Sequence, residues 1–216
     1  MIKLPTQQQC LDYFEEYKVP KNIQQHCLKV QEVAVFLAGK LKNSGVKINI
    51  ELVQAAALLH DLFKMAGIKD PKPNQHHQIV FSKEELAMRE KLRKEFPGQH
   101  ETKIAYEIFK DRFPELALTL LHEGDLHITD RTIEEALITY VDYRIFKEQI
   151  VSLEERFAYF AEVYISKNKL WRKALDRNKI VEQNIFARLD LEPCQLKEAM
   201  EAERSIRLNE AIRRSV

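Results

Sequence analysis

Glycine and proline are scarce in this chain, with five and seven residues among 216, and no apolar run reaches 18 residues. So few turn formers argue against a sheet-rich fold, where each strand needs its own turn chemistry. The lack of a long apolar run leaves no candidate membrane span, and the opening "MIKLPTQQQC" has no apolar signal core. Three scattered cysteines, Cys10, Cys27 and Cys194, form neither a disulfide framework nor a CxxC metal motif. They read as free thiols, which points to a cytoplasmic protein. Charge of one sign is missing too: 34 basic residues face 33 acidic ones, a net charge of +1. That balance gives no general attraction to nucleic acid or to an anionic membrane. No internal repeat or low-complexity segment is present.

What fills the chain is leucine, alanine, glutamate and lysine, with apolar positions recurring every three or four residues. The pattern predicts an all-α fold with helices near 6–17, 21–42, 49–65, 82–95, 99–111, 114–122, 131–149, 153–166, 168–189 and 193–213. Thr6 and Asn22 are candidate caps, and "SKEE", "TIEE" and "SLEE" at 82–85, 132–135 and 152–155 read as capping boxes. Pro20, Pro114 and Pro193 stand where helices begin. The stretch 66–80, with two prolines and the pair His76 and His77, reads as a loop able to form a lid or a substrate contact. Beyond about residue 150 the histidines stop. The expected organisation is a main helical domain over 1–150 and a C-terminal helical extension over 151–216 packed on it.

Polar residues fall in unexpected places on these helices. His26 shares a stripe with Val30, Val33, Leu37 and Leu41, and His60 and Asp61 end the apolar run "ELVQAAALLHD". His100 opens a helix whose face carries Ile104 and Ile108, and Asp142 shares a face with Ile138, Ile145 and Phe146. A lone inward histidine is usually a hydrogen-bonded core residue, but burying a carboxylate without a partner is costly. Five such residues spread over four helices are better explained by a divalent cation, which neutralises the carboxylates and satisfies the imidazoles.

On those residues the sequence resembles the HD-domain metal-dependent phosphohydrolases. "NIQQHCLKVQEVA" is similar to the segment with the family's first histidine, "AAALLHDLFK" to the His-Asp segment and "LITYVDYRI" to the segment with the last aspartate. "GQHETKIAYEIF", "LTLLHEGD" and "VSLEERFAYF" resemble the subgroup with extra histidines between the pair and the last aspartate. Ile104 and Ala105 replace that subgroup's Gly-Ala, and His122 is followed by Glu123 rather than a second histidine. Phe63 replaces a frequent glycine, and its bulk is expected to narrow the pocket.

The resemblance implies an HD-domain-like bundle and assigns roles. A first metal takes His26, His60, Asp61 and Asp142. A second is bridged by Asp61 and completed by His100 and His122, with His127 a runner-up that reads more simply as a surface residue. This mixed donor set suits one or two ions of Mn, Fe, Co, Ni, Zn or Mg, which would acidify a water for in-line attack on phosphorus. Asp61 and Lys64 are the residues placed nearest the chemistry. Lys64 would bind or stabilise phosphate, or else be a solvated lysine, and Arg144 would pair with a substrate phosphate or with a nearby acid. The expected activity is hydrolysis of a small nucleotide or a related phosphomonoester or phosphodiester. The alternatives are a nuclease or cyclic-nucleotide phosphodiesterase on the same site, or a noncatalytic nucleotide-binding protein of this fold. Nucleic acid is a less favoured partner, and homo-oligomers stay open. One local basic patch, "NKLWRKALDRNK" at 168–179, holds Trp171, either a nucleotide or partner contact or a core anchor of the extension.

Overall fold

The computed structural model describes residues 3–73, 78–123, 125, 127–128, 130–165 and 168–214. His76 and His77, expected near a lid, lie outside the described residues. The chain forms α1 (Gln7–Glu16), α2 (Lys21–Asn43), α3 (Ile50–Leu59), α4 (Lys64–Gly67), α5 (Lys83–Glu95), α6 (Glu101–Phe109), α7 (Pro114–Glu123) and α8 (Ile133–Arg144). A small antiparallel hairpin follows, β1 (Ile145–Phe146) and β2 (Gln149–Ile150), with Ile145 opposite Ile150. Then come α9 (Leu153–Val163), α10 (Asn168–Phe186), a 3-10 turn at Pro193–Gln195 and α11 (Leu196–Arg214). The fold is an all-α bundle, and no described helix is long and apolar enough to cross a membrane.

Local chemistry explains most helix starts. Thr6, Ser82, Thr132 and Ser152 each accept from the backbone N–H three residues on, while the glutamine or glutamate there reaches back to the cap. Asn22, read as a cap, instead lies inside α2, which begins one residue earlier behind Pro20.

Helix α3 is the hub. Seven of its ten residues, from Leu52 and Val53 through Ala55–Leu59, are buried, and it packs against α1, α2, α7 and α8. The alanines let those neighbours approach closely, and α2 answers with Val30, Val33, Leu37 and Leu41, all fully buried. The same core continues into the C-terminal segment, where Ala174, Ile185, Phe186 and Leu196 join it.

Two helices end far earlier than periodicity predicts, and others by three residues or fewer. The expected helix 49–65 breaks after Leu59, and tight bonds from Leu62 N–H to Leu59 O and from Lys64 N–H to Asp61 O carry the chain round. Leu62 and Phe63 are both buried at that turn. The expected helix 131–149 stops at Arg144, whose carbonyl accepts from Val151 N–H at 2.8 Å. Lys147, at the hairpin turn, has φ of 58°, in the left-handed region that the tight two-residue reversal requires.

Candidate metal centre

Three helices deliver the central donors. His26 comes from α2, one turn before the buried Val30, His60 follows the last residue of α3, and Asp142 lies near the end of α8. One donor atom from each lies within 4.8 Å of the other two. His26 Nε2 is 2.9 Å from Asp142 Oδ1, and His60 Nε2 is 3.5 Å from the same oxygen. The two imidazole centroids are 5.3 Å apart.

The rings are held from behind. His60 Nδ1 donates to Ala57 O at 2.8 Å, and His26 Nδ1 faces Lys147 O at 3.4 Å. Backbone carbonyls on the rear nitrogens orient the front ones, the usual arrangement behind a metal-bound histidine. His60 is 3% exposed, and its Nε2 has no hydrogen-bond partner among the described residues. A buried polar atom left unsatisfied costs about 1–3 kcal/mol. Facing Asp142 and, at 3.8 Å, Asp61 Oδ2, it fits a cation that the donors would share.

Electrostatics around the triad are strongly coupled. Burial alone would raise the Asp142 carboxyl, but the hydrogen bond from His26 and the charges of both imidazoles hold it well below the usual carboxylate range. Burial would likewise lower His60, yet the Asp61 carboxylate holds it well above the ordinary histidine value. A cation bound at His60 would compete with a proton there. Asp61 accepts from Lys64 Nζ at 3.0 Å. The Lys64 and His60 charges overcome its burial and lower it, while Asp61, Asp142 and Glu101 overcome burial to raise Lys64.

The triad, Asp61 and Lys64 line a cavity of about 2070 Å3, large enough for far more than a phosphate group. The remaining sequence-predicted residues are placed differently. His100 lies on the cavity lining but does not join the triad. It caps α6, its Nδ1 accepting from Thr102 Oγ1 at 3.0 Å, and its side chain is 59% exposed. His122 turns to Glu135, Nδ1 to Oε1 at 2.8 Å, and is not on the cavity lining. His127 is exposed.

Arg144 takes the second of its two expected roles, the pairing with a nearby acid. Its guanidinium is buried, pairs with Glu182 at 2.7 Å, donates to the carbonyls of Val151 and Pro193 and is not on the cavity lining, so the substrate-phosphate role has no support in its position. Phe63 requires a correction: it is 1% exposed, packs edge-on against Tyr17 at 4.8 Å and does not line the cavity.

Glu123 is the residue that sequence reasoning missed. It lines the cavity, and burial together with the Asp142 charge pushes its carboxyl up to about 7. The signal was available: Leu116 and Leu120 are buried on α7, and Glu123 continues their four- and three-residue spacing, whereas His122 does not.

Comparison with known proteins agrees with this geometry. The "Uncharacterized protein MJ0778" of Methanocaldococcus jannaschii is 32% identical over 139 residues, 62% of this chain and 73% of that protein. No solved structure matches. The HD domain family profile matches residues 23–190, which spans the triad and most of the extension. The chain belongs to the HD domain family, whose members bind divalent metals and act in general as metal-dependent phosphohydrolases.

Proposed function

We propose that this protein hydrolyses a small nucleotide or related phosphomonoester or phosphodiester, with His26, His60 and Asp142 holding a divalent ion and Asp61 beside them. The observation that carries the reading is the buried Nε2 of His60, which makes no hydrogen bond among the described residues yet faces two carboxylates on the wall of a large cavity. An ion of Mn, Fe, Co, Ni, Zn or Mg supplies Lewis acidity toward a phosphoryl oxygen and the attacking water.

The chain's own groups do the rest. Lys64 presents an ammonium, 3.0 Å from Asp61 and with its side chain 45% exposed, to an incoming phosphate. Asp61 keeps that ammonium charged and placed. Glu123, whose carboxyl is raised by burial and by the Asp142 charge, stands on the same cavity wall, the place for an acid that protonates a departing oxygen. His100 and His122 are left out of this ligand set, because among the described residues it is His26, His60 and Asp142 whose donor atoms lie within 4.8 Å of one another.

The test is a panel of nucleotides and aryl phosphates assayed with Mn, Co or Ni supplied, beside metal analysis of the purified protein. We expect hydrolysis that His60→Ala and Asp61→Ala each lower at least about 100-fold, with the helical circular dichroism retained. A blank panel together with no bound metal would overturn the proposal.

A further inference from the structure

One wall of the same cavity is built of rings. Phe146 of β1, Arg156, Tyr159 and Phe160 of α9, and Trp171 of α10 all line it. Phe160 and Trp171 stack at 4.8 Å with their planes 24° apart, and Phe146 lies 4.6 Å from Tyr159. The Arg156 guanidinium sits among them, 4.4 Å from the Phe160 centroid and 5.1 Å from that of Phe146.

Simple docking of the C-terminal helices does not account for this wall. Packing alone is served by aliphatic side chains, which bring no polar atom to satisfy. Here Arg156 Nε and Trp171 Nε1 are both buried N–H donors without an acceptor among the described residues. Flat π faces with a guanidinium lying among them, all on the cavity wall, fit a planar aromatic ring. Every nucleobase is such a ring, with ring nitrogens or carbonyl oxygens at its edge.

The wall is continuous with the metal end. Tyr143 follows Asp142 directly and its ring lies 6.0 Å from that of Phe160. Phe146 precedes Lys147, whose carbonyl faces His26 Nδ1. Resting on the phosphohydrolase reading of the triad, we infer that the substrate is a nucleoside phosphate whose base lies against Phe146, Tyr159 and Trp171 while its phosphate lies at the triad.

Trp171 is the single tryptophan of the chain, so its fluorescence reports on this wall without any turnover. EDTA-treated protein would be titrated with AMP, ribose 5-phosphate and inorganic phosphate. AMP is expected to change Trp171 emission saturably and to bind at least about ten-fold more tightly than ribose 5-phosphate, as one stacked base provides. Tyr159→Ala should lower that preference several-fold, and Tyr159→Phe, which keeps the ring, should restore it. Equal affinity for AMP and ribose 5-phosphate in the unaltered protein would overturn the subsite, whether or not the Tyr159 variants fold. A preference untouched by Tyr159→Ala would overturn it as well. Base-dependent binding without any hydrolysis would leave the subsite standing and remove the phosphohydrolase reading, while hydrolysis indifferent to the base would do the reverse.

Discussion

Phe63 stands two residues after the His-Asp pair, and sequence position alone puts its ring in the pocket. The turn after α3 sends it the other way, against Tyr17 at 4.8 Å and Phe109 at 6.3 Å. Its role is cohesion between the hub and the helices around it. Phe63→Ala should cost about 3–5 kcal/mol, read as a lower urea midpoint with an unchanged slope; a loss under about 1 kcal/mol would mean the ring is not packed as described. The same contrast governs the histidines. His26, His60 and Asp142 were legible because each interrupts an apolar stripe, so burial follows from helical spacing. His100 and His122 sit at helix ends, where a neighbour such as Thr102 or Glu135 is within reach, and periodicity says nothing about which way such a side chain turns.

Helix middles were legible and helix ends were not, because an end is decided by tertiary partners. Capping boxes were the exception, being local and written within four residues. Where α8 stops, the reason lies far along the chain: Arg144 leaves the helix for Glu182 of α10 and Pro193 of the 3-10 turn. Tyr140, fully buried, donates to the same Glu182 carboxylate at 2.7 Å. Removing one side of a buried ion pair leaves the other charge uncompensated. Arg144→Met is therefore expected to lower unfolding free energy by about 3 kcal/mol, measured by denaturant titration. Were the variant as stable as its parent, the pair would not be what fastens α8 to α10.

At the scale of the whole molecule, the charges gathered at the triad tie stability to pH. The Asp142 carboxyl is held below its ordinary value, so its contribution is present above about pH 4 and lost as pH falls through the lower folded value. His60 is held above its ordinary value, so its contribution is complete below about pH 6.5 and lost as pH rises through the higher folded value. Metal-free protein should thus melt highest between those limits and lose stability on both sides, with Asp142→Asn flattening the profile. Melting in EDTA from about pH 2 to 9 checks this, and a Tm that climbed steadily toward pH 9 would contradict it. A divalent cation competes with the proton at His60, so adding one should move the optimum upward.

The hairpin after α8 joins the two ends of the cavity. Phe146 belongs to the proposed base wall, Lys147 supports His26, and Asp142 lies four residues before Phe146 on the same chain. A two-residue reversal held at a left-handed lysine has no slack to take up. The span from phosphate to base is then set largely by covalent bonds along a few consecutive residues, and less by how separate helices settle against each other. Seen this way, the reversal is a gauge, cut to one length, against which a substrate is measured.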